Sequence, residues 1–149
     1  MRISHLIMAA LLALPLPFLM RAELPKQPQE ETELEDRMDV MGAAFRKLKR
    51  QVGDAAQNAA SLKLVATIRT AADEAVMLAP AKASDVPEAE RPRFVADYRA
   101  KMNDLLVALG KLSQALEANN NDQAARLVAE IGVMQKVGHK VFKRPDEKS

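Results

Sequence analysis

The sequence predicts an all-α fold, an antiparallel up-down-up-down four-helix bundle. Four stretches of about 20 residues repeat apolar side chains at steps of three and four, the period of one helix face. No stretch of useful length alternates apolar and polar residues as a half-buried strand would. Glycine, proline and asparagine mark the breaks between stretches, and the first and third breaks are short, which favours antiparallel neighbours.

Residues 1–22 read as a secretory signal peptide. Arg2 and His5 give a weakly positive start, Leu6 to Met20 run apolar except at Pro15 and Pro17, and Ala22 is a small residue at the expected cut. That run is short and proline-broken, against the roughly 20 apolar residues a membrane span needs. The expectation is export to the periplasm with no membrane span after cleavage. Residues 23–31 are polar and proline-bearing and read as a flexible leader. The bundle itself is expected over residues 32–144, followed by a polar tail at 145–149.

Helix one is expected from Thr32, which stands three residues before Glu35 in capping-box spacing. Leu34, Met38, Met41, Phe45, Leu48 and Val52 form its apolar stripe, cations crowd its last turns, and Gly53 stops it. Helix two runs from Asn58 or Ser61 to Leu78, with Leu62, Val65, Ile68, Ala72 and Val76 inward; Pro80 ends it. The longest connection, residues 80–92, carries Pro80, Pro87 and Pro92. Helix three spans Pro92 to Ala118 and points Phe94, Tyr98, Met102, Leu105, Leu109, Leu112 and Leu116 inward. One of Asn119, Asn120 and Asn121 caps helix four, which runs from Asp122 to Lys143. Its expected inner face is Ala124, Val128, Ile131, Gln135, His139 and Phe142, with Leu127 and Met134 flanking.

Composition excludes several functions. Lys and Arg number 22 against 20 Asp and Glu, and removing Arg2 and Arg21 with the signal leaves the two signs equal. With few aromatics and no net basic charge, a nucleic-acid partner is not expected. The chain has no cysteine, so it has no disulfide, thiol chemistry, iron–sulfur cluster or thioether-attached prosthetic group. The histidine expected in the mature chain lies on a core face, and no serine sits in a nucleophile motif, so an enzyme is not expected. The Glu-x-x-His spacing of di-iron bundles is also missing.

In this topology helices one and four lie side by side, and the start of one is level with the end of the other. Met38 and His139 then each lie roughly 7–9 Å from the same bundle end, at about 1.5 Å per residue. Two readings stand at this point. In one, His139 is a hydrogen-bonded core imidazole and Met38 is core filler. In the other, they are the axial ligands of a haem iron. Leu34, Met41, Tyr98, Met102, Ile131 and Phe142 would line the slot, and Arg37, Lys140 or Lys143 would meet the propionates. Gly138, with no evident purpose inside a helix, would leave room for a flat group. Filling both axial positions leaves one-electron transfer as the natural task.

The stretch Glu33-Leu34-Glu35-Asp36-Arg37-Met38 resembles the start of the cytochrome b562 family, soluble periplasmic haem-b four-helix bundles whose first helix opens Leu-Glu-Asp-x-Met. Gln135-Lys136-Val137-Gly138-His139-Lys140 falls where that family carries its ligand histidine, and Asp97-Tyr98-Arg99 is similar to its Asp-Phe-Arg. The resemblance covers residues 32–144. It implies one non-covalent haem b with Met38 and His139 as iron ligands, and Tyr98 in the place of a phenylalanine that packs on the haem. Met102 stands at a second such phenylalanine, Gln135 at an arginine and Gly138 at a tyrosine. In the related cytochrome c′ group two cysteines occupy the positions of Gln135 and Gly138, so the thioether attachment is missing here. The function expected is a monomeric periplasmic electron carrier with an unidentified redox partner. The alternative is a haem-free periplasmic bundle with a binding or scaffolding role.

Overall fold

The computed structural model describes residues 28–145; the expected signal peptide, the first part of the expected leader and residues 146–149 of the expected polar tail lie outside the described residues. Four long helices follow one another: α1 Pro28–Gln51, α2 Asn58–Val76, α3 Arg91–Glu117 and α4 Asn121–Phe142, with no strand among the described residues. Each pairs closely with the next in sequence, whereas α1 and α4 approach each other only sparsely. The bundle thus has three tight seams and one loose seam, between its first and last helices.

The helix limits differ from expectation mainly at the start. α1 begins at Pro28 and runs through Thr32 rather than starting there. A proline is harmless at a first helical position because its missing N–H has no intrahelical partner there. At α4 the expected asparagine cap is present. The Asn120 side chain accepts from the Gln123 N–H at 3.1 Å, with Asp122 in the first turn.

The core is the set of predicted stripes folded together. Leu48, Val65, Leu109, Leu112 and Leu116 are almost wholly buried, and Phe45, Ile68, Val128 and Ile131 surround them. Burying each such side chain contributes about 1.5–3 kcal/mol.

Each end of the bundle is closed differently. At one end the two tight turns meet in a knot of amides. Asn58 Nδ2 donates to Asn121 Oδ1 at 3.2 Å, and Asn121 Nδ2 returns a bond to Asn58 Oδ1 at 2.7 Å. Asn58 Nδ2 also approaches Leu116 O and Asn119 Oδ1, and Asn121 Nδ2 donates to Val52 O. Asn119 takes φ 55°, the left-handed conformation asparagine tolerates. With that turn, the Asn120 N–H reaches Ala115 O and the Asn119 N–H reaches Leu116 O, satisfying the last carbonyls of α3.

The other end is spanned by the α2–α3 link, which folds into short 3-10 turns at Ala81–Asp85 and Glu88–Glu90. Arg91 at the start of α3 holds it by donating to Val86 O at 2.9 Å and Ser84 O at 3.2 Å.

Candidate functional site

The structure brings the predicted site residues to the link end. Arg37, next to Met38 on α1, forms a 2.7 Å ion pair with Glu74 near the end of α2. The next residue on α2, Ala75, accepts the Tyr98 hydroxyl from α3 at 2.9 Å. The Tyr98 ring meets Phe142 of α4 edge-on, with centroids 5.6 Å apart, and Phe94 also meets Phe142 edge-on at 5.2 Å. Phe142 lies one turn beyond His139. A chain of direct contacts therefore runs from the level of Met38 on α1 to the level of His139 on α4.

Burial grades these residues. Tyr98 is 2% exposed, and Leu34, Met41 and Met102 are each 7% exposed. Met38 and Phe142 are half-buried and pack against the same cluster. Burial pushes the Tyr98 phenol well above its ordinary range, and Arg99 offsets this only in part. Tyr98 is therefore a neutral donor at physiological pH. No buried side-chain nitrogen or oxygen among the described residues lacks a hydrogen-bond partner.

Gln135 and His139 correct the sequence reading. Both were expected on the core face of α4, and both are exposed. The face that α4 buries is Ala124, Leu127, Val128 and Ile131, continued by half-buried Met134, Gly138 and Phe142. His139 lies on the flank of this face, on the side of α1. A Cβ placed on Gly132, one heptad earlier, would stand 3.9 Å from the Phe45 ring of α1. The helices are antiparallel, so one heptad from Gly132 and one from Phe45 lead towards the link end, to His139 and Met38. The exposure of His139 follows from the loose α1–α4 seam: its flank faces a helix that does not close over it.

Gly138 adds to this picture. It continues the inward face of α4 and its backbone is ordinary helix, yet a Cβ there would meet nothing within 4 Å. A side chain at this half-buried position, next to His139, would thus enter open space. Arg37, expected to face a propionate, is occupied by Glu74, while Lys140 is exposed on the last turn of α4.

A sequence model of the cytochrome b562 family matches residues 33–143, nearly all of the described bundle. The chain belongs to the cytochrome b562 family. No curated protein and no solved structure matches it significantly. Membership in the cytochrome b562 family makes the bundle one of a haem-binding, electron-carrying kind rather than an enzyme scaffold. The residues fit that cofactor class. A thioether and an imidazole suit haem iron, Met38 packs against the apolar core cluster while His139 is exposed, and Gly138 carries no side chain beside the imidazole. No helix among the described residues is long and apolar enough to cross a membrane.

Sequence reasoning missed the contacts that hold the link against α4. Arg144 binds Asp85 and Ser84, and Lys82 binds a carbonyl of the last α4 turn. The available signal was weak: a proline-punctuated link carrying Lys82 and Asp85 opposite a basic helix end.

Proposed function

We propose that the chain is a periplasmic electron-transfer protein that holds one haem b non-covalently between Met38 and His139. The observation that supports this ligand pair is the facing of Phe45 and Gly132, with a methionine and a histidine one heptad further along each helix. Met38 offers its sulfur from the half-buried face of α1. His139 reaches the seam from its exposed flank by a change of side-chain rotamer. Leu34, Met41, Tyr98, Met102 and Phe142 exclude water from the seam. Arg37 would exchange Glu74 for a propionate, and Lys140 and Lys143 supply further positive charge. When bound, the haem supplies a one-electron iron couple, set at a higher potential by thioether–imidazole than by bis-imidazole ligation. The fold has no substrate site in this reading, and the redox partner is a second protein.

The test is spectroscopic. Protein loaded with haem and reduced should show sharp alpha and beta bands, which His139→Ala and Met38→Ala should each abolish. Unchanged bands in either variant would remove that residue from the ligand set. The exposure of His139 also favours a second reading, a haem-free bundle with a binding or scaffolding role. A melting scan separates the two. Haem at a hundredfold excess over its Kd adds about 2.7 kcal/mol, or about 10 °C for a domain of this size, whereas a haem-free bundle melts at one temperature throughout.

A further inference from the structure

We propose that the α2–α3 link is a strap that fixes the last turn of α4, and with it His139, through Arg144 and Lys82. This rests on the ligand assignment above and concerns what holds that ligand in place.

The last carbonyls of a helix have no intrahelical donor, so final turns fray unless something caps them. Here the cap comes from the link. Lys82 Nζ donates to Val141 O at 2.7 Å. Just past the helix, Arg144 reaches back into the Ala81–Asp85 turn. Its Nε donates to Asp85 Oδ2 at 2.9 Å, and its Nη2 donates to Ala81 O at 2.8 Å and to Ser84 Oγ. Nη2 also lies 3.2 Å from Asp85 Oδ1, which makes the ion pair forked. Arg91 anchors the far side of the same link to α3. His139 sits inside the strapped turn, and its carbonyl accepts the Lys143 N–H at 3.0 Å.

Global stability is a poor explanation for this arrangement. The Arg144 and Asp85 side chains are 30% and 56% exposed, and ion pairs of that kind contribute little to global stability. The local effect is larger in consequence. The α1–α4 seam is sparse, so the strap and the Phe142 contacts, which tie the end of α4 to the link and to α3, do much to hold the turn that carries the imidazole. Arg144 and Lys82 are thus positioning residues for His139, acting through the helix end.

The experiment measures haem dissociation from the full-length holoprotein to an excess of a high-affinity haem scavenger, together with the reduced spectrum. Arg144→Ala, and Asp85→Ala approached from the link side, should each speed dissociation about tenfold, the usual range for groups that orient a ligand. Both should weaken the low-spin bands, while the melting temperature without haem moves little. In a His139→Ala background, Arg144→Ala should add no further acceleration. A wild-type dissociation rate in both single variants overturns the proposal, as does the same acceleration in the His139→Ala background, because the strap would then act on something other than His139. If His139→Ala alone leaves spectrum and rate unchanged, the ligand assignment is what fails.

Discussion

Replacing Tyr98 by phenylalanine should make the protein less stable at neutral pH and relatively more stable at high pH. The hydroxyl donates to Ala75 O, a carbonyl that keeps a second donor in the Leu78 N–H at 3.1 Å. Losing this bond therefore leaves no orphaned acceptor, and the cost should sit near about 1 kcal/mol. The alkaline side runs the other way. Burial raises the Tyr98 pKa in the folded state. Above pH 10 the unfolded chain releases the phenol proton while the folded chain keeps it, so stability present below that pH is lost as the pH rises. The loss approaches about 1.4 kcal/mol one unit above the unfolded pKa and grows by a similar amount with each further unit. Phenylalanine does not titrate. The difference between the two proteins should shrink above pH 10 and change sign near pH 11. Urea unfolding without haem, at pH 8 and at pH 11, measures it directly. Lysine titration is common to both proteins and drops out of the comparison. The chain has one tyrosine, so tyrosinate absorbance reports this residue alone and should appear on unfolding. A difference independent of pH would refute the reasoning, as would a phenol that ionises in the folded protein near pH 10.

The remaining predictions concern the two ends of the bundle. Asn58→Leu should lower stability by about 2–3 kcal/mol, because it removes both bonds of the reciprocal amide pair and takes the Asn58 donor from Asn119 Oδ1 and Asn121 Oδ1, while Leu116 O keeps the Asn119 N–H and Asn121 Nδ2 keeps Val52 O. That corresponds to roughly 8–12 °C of melting temperature, and Asn58→Ala combined with Asn121→Ala should cost less than the two single changes added together. Gly138→Ala should raise stability without haem by up to about 1 kcal/mol, since the added carbon meets nothing within 4 Å and glycine is a poor helix former. Gly138→Phe should leave the fold intact and block haem uptake by filling the space beside His139. Full uptake by that variant would show that the space is not used.

Much of the fold was written in local pattern. The stripe from Leu34 to Val52, the heptads from Phe94 to Leu116 and the asparagine cap of α4 all survive in the structure, because each depends on residues within a turn or two of one another. The link-end level shared by Met38, Tyr98, Met102 and His139 was legible too, since antiparallel helices of similar length have few ways to align. The outward flank of Gln135 and His139 was not. Periodicity assigns a face to a helix, but burial depends on whether the opposite helix closes over it, and α1 does not. The Asn58–Asn121 pair joins residues 63 apart in the chain, and the Arg144–Asp85 strap joins residues 59 apart. Neither leaves a periodic trace. The start of α1 at Pro28 was hidden by the habit of reading proline-bearing polar stretches as loops.

Three tight seams and one loose one give the cylinder a front and a back. If haem is held between Met38 and His139 as proposed, the sparse α1–α4 side would be its open side, with the packed α2–α3 pair behind it. Electron traffic would then be one-sided: a partner docked at the groove between the first and last helices would sit nearer the iron than one docked on the opposite wall, which has a packed helix pair in between.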